Sequence, residues 1–448
     1  MKKTIKLLAI LVAIIAGYFI ILQLYPKNAG RYPFLVILLA GDYYLWAAFK
    51  DWIKNRKPLL KYLLGFLYWL PFLLLIFTTV YSFYTAPEYW NQEVRIYLFG
   101  FIFVAFAAKI LPILFLLLAD LFRGVQFINK KAVTIAKTEP QKSDDRKITR
   151  SQFLKKAGLI SGGIMFSGLF MGMLKWAFDF KLHRHVVKIP GLPDSFAGLK
   201  IIQISDIHLG SWGSRTALQE AVDRINELKP DLVFFTGDLV NYKTDEAFPF
   251  EKTLAGIRAS KGVYATLGNH DYGDYTRWPT SKAKEQNMIE LYGFYQRIGW
   301  QLLNNRNEIH THSDGKLAVV GVENWGDFGR FPKYGDLNKA LIGAEDAGVK
   351  LLLSHDPSHW DKVVSQDHPD IDITFAGHTH GFQFGIEIKN IKWSPAQYAY
   401  KHWAGMYERI NINDKPQRLY VNRGLGTIGY PGRVGILPEI SLFELERG

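Results

Sequence analysis

Long apolar runs in the first 178 residues constrain the fold more than any other feature of this sequence. Five of them, over residues 4–22, 32–49, 60–84, 96–118 and 157–178, reach or approach the length of about 20 residues that a membrane-spanning helix needs. We therefore predict a membrane protein with a soluble C-terminal domain. The predicted organisation is a four-helix transmembrane region (1–122), a basic cytoplasmic linker (123–156), a fifth transmembrane helix with an export-signal-like start (157–178) and a soluble domain (186–448).

The positions of lysine and arginine predict the orientation, because loops rich in these residues stay in the cytoplasm. The connection around Lys50–Lys61 carries five basic residues and that over 119–156 carries ten, whereas the first connection has only Lys27 and Arg31. With five spans, the N-terminus is then cytoplasmic and the soluble domain lies outside the inner or plasma membrane. These loops also explain much of the net charge of +13, so we do not expect a nucleic-acid partner.

Two ionisable residues, Asp42 and Lys109, lie inside predicted spans. Charged side chains in a membrane usually face the interior of the protein and find partners there. One hypothesis is therefore an Asp42–Lys109 ion pair between the second and fourth spans. The alternative is that each side chain reaches water or the membrane surface separately.

The soluble half alternates apolar strand-like runs with polar clusters and helical patterns. The runs begin at 199, 231, 262, 316, 349 and 371, and helices are predicted over Arg215–Lys229, Ala283–Ile298 and Leu337–Ala347. Such an alternation is typical of a layered α/β fold, in which loops at the carboxyl ends of the strands collect functional groups. We therefore predict an α/β sandwich with its site at one edge of the sheets.

Seven metal-ligand side chains stand in the polar clusters that follow these strands. They are Asp206, His208, Asp238, Asn269, His355, His378 and His380. The chain has no cysteine, which excludes thiolate metal sites and disulfides, whereas carboxylate, amide and imidazole ligands suit Mn, Fe or Zn. Seven ligands exceed the needs of one ion but suit two ions that share a carboxylate, an arrangement that can hold both oxygens of an in-line displacement. We therefore predict two divalent ions, with Mn favoured.

These motifs resemble the calcineurin-like metallophosphoesterases over Lys200–Arg447. The resemblance rests on Asp206-x-His208, Gly237-Asp238, Gly268-Asn269-His270-Asp271, His355 and Gly377-His378-x-His380. It implies two sheets flanked by helices, with metals at the edge where the sheets meet. It further implies a first metal on Asp206, His208 and His380, a second on Asn269, His355 and His378, and Asp238 as the bridge. His270 would be the general acid or transition-state donor, with Asp271 orienting its ring.

A narrower resemblance connects the chain to a bacterial branch of membrane-anchored or exported members, which includes enzymes that cleave UDP-2,3-diacylglucosamine. It rests on Leu192-Pro193, Gly198–Ile201, residues 377–383 and the C-terminal Arg423–Thr427, Arg433 and Pro438–Ile440. This chain has Phe382 in place of a second glycine and Asn241 in place of a frequent aspartate. Asn422 and Arg433 either contact phosphate or hold the C-terminal segment.

Three functions remain open at the level of the sequence. The first is hydrolysis of a phosphoester or pyrophosphate bond in a membrane-associated substrate, lipid-linked ones included. The second is the narrower cleavage of a UDP-2,3-diacylglucosamine-type pyrophosphate, which the outward orientation disfavours because a UDP-linked substrate lies in the cytoplasm. The third is a membrane sensor or scaffold with a vestigial site, which is disfavoured because none of the seven ligands is missing. The oligomeric state is open.

Overall fold

The computed structural model describes residues 2–26, 29–85, 87, 90–133, 150–328, 331–389 and 391–448. The chain divides into two compact units. The first comprises Met1–Tyr89 and Leu98–Gly168, and the second comprises Trp90–Tyr97 and Leu169–Gly448. The second unit thus holds the predicted soluble domain together with two short segments from the apolar half.

Five α-helices account for the described residues of the apolar half. They are α1 (Lys2–Leu24), α2 (Arg31–Lys54), α3 (Pro58–Tyr81), α4 (Gln92–Val133) and α5 (Arg150–Leu174). Four stretches of the described chain are long and apolar enough to cross a membrane: Arg31–Lys54, Pro58–Tyr81, Gln92–Phe127 and Gln152–Phe178. In α1 the apolar part, Leu8–Leu24, is shorter. Proline occurs inside α3 at Pro71 and inside α4 at Pro112.

The predicted linker over 123–156 is helical at both of its ends. Helix α4 continues to Val133 and α5 begins at Arg150, because the helical conformation continues past the apolar residues into the charged flanks. The hydropathy of an apolar run therefore predicts which residues can lie in a membrane, but it does not predict where the helix begins and ends. The middle of the predicted linker, residues 134–149, lies outside the described residues.

The Asp42–Lys109 ion pair is present in the first unit. Lys109 Nζ lies 2.8 Å from Asp42 Oδ1, and the Asp42 side chain is buried. The ammonium also lies 4.7 Å from the centre of the Tyr68 ring, whose hydroxyl donates to the Asp42 carbonyl at 2.6 Å. The pair therefore joins α2 to α4 and, through Tyr68, to α3.

We expect Asp42→Asn to lower the amount of protein that accumulates in the membrane. The variant leaves the Lys109 ammonium without its carboxylate inside a span, where a lone charge costs about 2.5–3.5 kcal/mol. The double variant Asp42→Asn/Lys109→Met removes both charges and should accumulate better than Asp42→Asn. Immunoblots of membrane fractions measure this, with Asp51→Asn at an exposed site of α2 as the control. Equal accumulation of all four proteins would contradict a stabilising pair.

Two six-stranded sheets form the second unit. The first sheet has the order β1-β14-β2-β3-β4-β5. Its strands are β1 (Lys181–Ile189), β14 (Glu439–Arg447), β2 (Lys200–Ile204), β3 (Leu232–Phe235), β4 (Gly262–Ala265) and β5 (Gln301–Leu302). Strands β2 to β5 are parallel, and β14 runs antiparallel to β2 and parallel to β1.

The second sheet has the order β12-β13-β9-β8-β7-β6. Its strands are β12 (Gly405–Ile410), β13 (Pro416–Val421), β9 (Ile373–Ala376), β8 (Val349–Leu353), β7 (Gly315–Gly321) and β6 (Arg306–His312). Strands β13, β9, β8 and β7 are parallel, and the two edge strands are antiparallel to their neighbours. A separate two-stranded hairpin consists of β10 (Ile386–Ile388) and β11 (Ile391–Trp393).

Alternating side chains of the strands build three buried layers. In β3, Phe234 joins the core between the two sheets, whereas Val233 and Phe235 join a core against α6 (Arg215–Glu227) and α8 (Ser281–Arg297). A third cluster covers the outer face of the second sheet. Strands buried on both faces read as continuous apolar runs, which is why the sequence predicts them well. The expected α/β sandwich of two sheets flanked by helices is confirmed.

One predicted helix is much shorter than expected. Within the predicted Leu337–Ala347, only Leu337–Ala340 (α9) is helical. Two other short helices are α7 (Glu251–Leu254) and α10 (Ser365–Asp367). Gly343 has a φ of +86°, a left-handed conformation that ends a helix and that glycine adopts without steric cost. The apolar residues after it remain buried in the third cluster, so their spacing suits a packed turn as well as a helix.

Candidate metal centre

The seven predicted ligands meet at one edge of the two sheets. Asp206 and His208 follow β2, Asp238 follows β3 and Asn269 follows β4 in the first sheet. His355 follows β8, and His378 and His380 follow β9 in the second sheet. Because parallel strands end at the same edge, the fold carries all these loops to one place. All seven side chains are largely buried.

The backbone is strained at most of these positions. Five of the seven residues have a positive φ of 50–72°: Asp206, His208, Asp238, His378 and His380. Residues other than glycine rarely adopt this region, at a cost of about 1–3 kcal/mol each, and such strain is concentrated at functional sites. The surrounding sheets therefore stabilise a conformation of the loops that the sequence alone does not favour.

Two glycines permit the loops to approach one another. A Cβ atom on Gly377 would lie 2.0 Å from Ser205 Oγ and 2.2 Å from Asp206 Oδ2. A Cβ atom on Gly268 would lie 2.2 Å from Asp238 Oδ1. Any side chain at either position would displace a predicted ligand.

Three of the ligands form a first cluster. Asp206, His208 and His380 each offer an atom, and these atoms lie within 4.8 Å of one another. His208 Nε2 lies 3.0 Å from His380 Nε2, and His380 Nε2 lies 3.3 Å from Asp206 Oδ1. Burial lowers the pKa of His208 to about 3, so its imidazole is neutral near pH 7, the form that binds metals.

A second cluster contains Asp238, His355 and His378. His378 Nδ1 lies 3.2 Å from His355 Nε2. The carboxylate of Asp238 stands between the clusters, since its Oδ2 atom lies 3.3 Å from His355 Nε2 and 3.5 Å from His208 Nε2. One oxygen is thus within reach of both clusters, as a shared ligand requires.

The chemistry of these donors fits divalent cations. Pairs of imidazole nitrogens 3.0–3.2 Å apart face carboxylate oxygens, an arrangement that a shared cation stabilises. Asn269 Oδ1 is buried without a hydrogen-bond partner among the described residues, whereas its Nδ2 atom donates to Tyr275 Oη at 2.8 Å. A buried amide oxygen without a donor is costly unless it binds something else, and Asn269 Oδ1 is the atom that would complete the second cluster.

His270 lies beside the clusters, held by backbone groups and rings. Its amide donates to Asp238 Oδ1 at 2.8 Å, and its Nδ1 atom lies 2.8 Å from the carbonyl of Asn241. The ring stacks on Tyr275 with centroids 4.2 Å apart and meets His208 edge to face. The carbonyl acceptor assigns the proton of the neutral ring to Nδ1, which leaves Nε2 as the atom that can exchange a proton with substrate.

Asp271 was predicted to orient the His270 ring, but no hydrogen bond joins the two side chains in the described part of the chain. Its carboxylate accepts four backbone amides instead: Oδ2 accepts those of Asp238 and Gly268 at 3.0 and 2.9 Å, and Oδ1 those of Leu239 and Val240 at 2.8 and 3.3 Å. A fully buried carboxylate needs such donors, and the strained loop after β3 supplies three of the four. Asp271 therefore fixes the loop that carries Asp238.

Sequence reasoning missed contacts around the ligands. Tyr400 Oη lies 2.9 Å and Asp356 Oδ2 3.5 Å from His378 Nε2, so both can fix this ring. Arg433 is fully buried, and its Nη2 atom donates to the carbonyls of Arg423, Gly424 and Gly426, which favours its structural role. Tyr400 stands in an aromatic-rich stretch of the sequence, which gave the only signal for it.

The beginning of α4 also supports the site. Gln92 Nε2 donates to the carbonyls of Leu209 and Trp212 at 3.0 and 3.1 Å, in the turn that directly follows His208. Gly213 packs against the ring of Tyr97, since a Cβ atom there would lie 2.9 Å from it. Residues 90–97 therefore complete the second unit around the first cluster.

We expect Gln92→Ala to raise the Mn²⁺ concentration needed for half-maximal hydrolysis by roughly tenfold. The variant loses two hydrogen bonds worth about 0.5–1.5 kcal/mol each, and the turn next to His208 becomes less fixed. Titration of activity with Mn²⁺ measures the effect, and Glu93→Ala, at an exposed site of the same turn, is the control. Identical titrations of the two variants would show that this contact does not position the ligand.

Comparisons with known proteins identify the family of this chain. Residues 28–176 match a family described as probable calcineurin-like phosphoesterase, transmembrane domain, and residues 199–382 match the calcineurin-like phosphoesterase family. The metallophosphoesterase YkuE of Bacillus subtilis (strain 168) is 30% identical over 311 residues, which cover 67% of this chain and 99% of that protein.

Two further relatives match a smaller part of this chain. A transmembrane protein with metallophosphoesterase domain from Danio rerio is 30% identical over 267 residues, 58% of this chain and 56% of the relative. The UDP-2,3-diacylglucosamine pyrophosphatase LpxG of Chlamydia trachomatis serovar D is 26% identical over 298 residues, 57% of this chain and 88% of that enzyme. The chain thus spans little more than half of the zebrafish relative.

Proposed function

The chain belongs to the calcineurin-like metallophosphoesterases, a family of hydrolases, and we propose that it hydrolyses a phosphoester or pyrophosphate bond with two divalent metal ions. The observation that carries the proposal is the position of Asp238, whose Oδ2 atom lies within 3.5 Å of a histidine from each cluster. A single carboxylate oxygen between two sets of oxygen and nitrogen donors is the arrangement expected for a dinuclear centre.

The residues divide between two metal positions in this proposal. Asp206, His208 and His380 would hold the first ion, and Asn269, His355 and His378 the second, with Asp238 shared. When bound, such ions supply positive charge to the phosphoryl oxygens and lower the pKa of a water nucleophile. Oxygen and nitrogen donors without thiolates suit Mn, Fe or Zn, and we favour Mn.

His270 supplies the proton in this proposal. Its Nδ1 atom is held by the carbonyl of Asn241, so a proton on Nε2 can pass to the leaving oxygen. Stacking on Tyr275 keeps the ring from rotating away. The strained loops and the carboxylate of Asp271 fix these groups before substrate arrives, which reduces the reorganisation needed in the transition state.

The membrane half places this chemistry at a bilayer in our proposal. Five spans, with α1 as the first, leave the N-terminus in the cytoplasm and the catalytic domain outside, as the distribution of basic residues indicates. Substrates on that side include lipid-linked phosphoesters. A reporter fused after Gly448 tests the orientation, and a cytoplasmic signal would contradict it.

A second candidate is a pyrophosphatase acting on a UDP-2,3-diacylglucosamine-type substrate. The similarity to LpxG favours it. This substrate is made of a nucleotide and an acylated sugar, so it requires a catalytic domain in the cytoplasm. The same reporter fusion therefore separates the two candidates.

Hydrolysis of bis-p-nitrophenyl phosphate and p-nitrophenyl phosphate by the full-length protein in detergent, with added Mn²⁺, tests the proposal. We expect activity that requires the metal and that falls about a hundredfold or more in His270→Ala, because the general acid is lost while every metal ligand stays. His312→Ala, at an exposed histidine of the same domain, is the control. A metal-loaded His270→Ala variant with unchanged activity would remove His270 from the mechanism.

A further inference from the structure

An exposed apolar stripe begins two residues after His380. Phe382, Phe384, Ile386 and Ile388 are exposed and alternate with buried or half-buried Gly381, Gln383, Gly385 and Glu387. The backbone is a left-handed turn at residues 381–383 and is extended from Phe384 onward, where side chains point alternately to opposite faces. The stripe continues across the hairpin turn to Ile391. The exposed fractions of the five apolar residues are 46, 42, 46, 63 and 64% in chain order.

In this hairpin the charged side chains contact the domain and the apolar side chains are exposed, which is the opposite of a hairpin that faces water. In the β10–β11 register Glu387 pairs with Lys392. Glu387 is half-buried, and Lys392, although exposed, contacts the domain through its ammonium group. Glu387 forms an ion pair with Arg423, and Lys392 donates to the Ala404 carbonyl and lies 4.7 Å from the ring centre of Trp403. Ile388 and Ile391, paired across the other face, point outward. A face of exposed apolar side chains is unfavourable in water and favourable against an apolar partner.

Backbone hydrogen bonds connect the stripe to the end of a membrane span. Val434 N donates to Gln383 O at 2.8 Å, and Gly385 N donates to Val434 O at 2.9 Å. The adjacent Arg433 N donates to the carbonyl of Gly172 at 3.2 Å, in the last turns of α5. Residues 152–178 have the length and composition of a span, so the stripe is attached to the point where that span ends.

The stripe is also connected to the metal ligands. Ser394 Oγ, at the exit of the hairpin, donates to the carbonyl of Gly381 at 2.7 Å, next to His380. Phe382 itself has a φ of +52°, a conformation that a bulky residue adopts only under strain, and its side chain is exposed. The position of the hairpin therefore follows the position of the ligand loop.

We propose that the stripe of Phe382, Phe384, Ile386, Ile388 and Ile391 inserts into the surface of the bilayer that contains α5. The occupant is lipid, because the stripe is continuous through hydrogen bonds with a membrane span, and because the exposed Lys389 at its turn complements anionic headgroups. The insertion holds the metal centre against the membrane plane, which deepens the proposed function by giving it a substrate carried on lipid.

Fluorescence quenching in proteoliposomes tests the insertion. The chain has no cysteine, so Ile388→Cys in the full-length protein carries a single environment-sensitive label. Ile342→Cys, at another isoleucine that is 71% exposed, is the matched control. The vesicles contain phosphatidylethanolamine and phosphatidylglycerol, with and without a spin label on the acyl chain near the headgroup. We expect the spin-labelled lipid to quench the label at 388 at least severalfold more than the label at 342.

Each other outcome has a defined meaning. Equal quenching at the two positions would overturn the proposal. A label at 388 that is shielded from aqueous iodide but not quenched by spin-labelled lipid would also overturn it, since a protein would then cover the stripe. Hydrolysis of bis-p-nitrophenyl phosphate by the same samples distinguishes the two hypotheses. Activity without quenching leaves the proposed function standing, whereas quenching without activity supports the membrane contact alone.

Discussion

Replacing Asp238 by asparagine is expected to reduce hydrolysis of bis-p-nitrophenyl phosphate by about 10³-fold, because both metal positions change together. The variant can still accept the His270 amide through its remaining oxygen, which now occupies the place of Oδ1. The amide nitrogen then occupies the place of Oδ2, facing His208 and His355. An NH₂ group carries no lone pair for a cation and no negative charge to offset two of them.

Metal content and activity should fall together in Asp238→Asn. Metal analysis of purified protein would give close to two ions per chain in the wild type and well below that in the variant. Asp245→Asn, at an exposed aspartate in the same connection, should match the wild type in both measurements. Wild-type protein that binds well under one ion per chain would support the scaffold alternative, and full activity in Asp238→Asn would exclude a shared carboxylate.

Asp271→Asn is expected to destabilise the catalytic domain by about 2–6 kcal/mol, although it changes a single atom. Each carboxylate oxygen accepts two backbone amides, so either orientation of the new side chain places an NH₂ group against two N–H groups. Those two donors lose their acceptor inside a buried site. The loop that carries Asp238 can then leave its strained conformation, so activity should fall as well.

Thermal unfolding of the full-length protein in detergent, with Mn²⁺ present, measures the effect of Asp271→Asn. Asp274→Asn is the matched control, because Asp274 is an exposed aspartate of the same loop that pairs with Lys284. If Asp271 only oriented the His270 ring, the variant would unfold at the wild-type temperature and lose activity alone. A large fall in unfolding temperature would show instead that Asp271 stabilises the loop that carries Asp238.

The strands, and the meeting of the polar clusters at one edge of the sheets, could be predicted from the sequence for one physical reason. Strands buried on both faces are continuous apolar runs, and polar residues in the loops that follow them are often binding or catalytic residues. Both signals are local in the chain. The ion pair of Asp42 and Lys109 was also predictable, since two opposite charges in apolar spans have few other partners.

Contacts between distant segments were not predictable in the same way. Asp271 follows His270 directly, but its hydrogen bonds reach across to the loop after β3, and no local pattern encodes that choice. Gln92 is one polar residue near the end of a loop, and only the fold places it beside the turn after His208. The apolar stripe alternates with glycines and a buried glutamine, which hides its period from a search for strands.

The place of β14 has a consequence for how the domain forms. This strand is the last of the sheet in the chain, yet it lies between β1 and β2 and is the only strand paired with β1 within the described residues. Strand β1 in turn follows the last span directly. During synthesis the ligand loops emerge before β14 does, so the first sheet stays incomplete until residues 439–447 are available. Once synthesised, β14 joins β1, the strand after the last span, to β2, the strand that precedes Asp206 and His208.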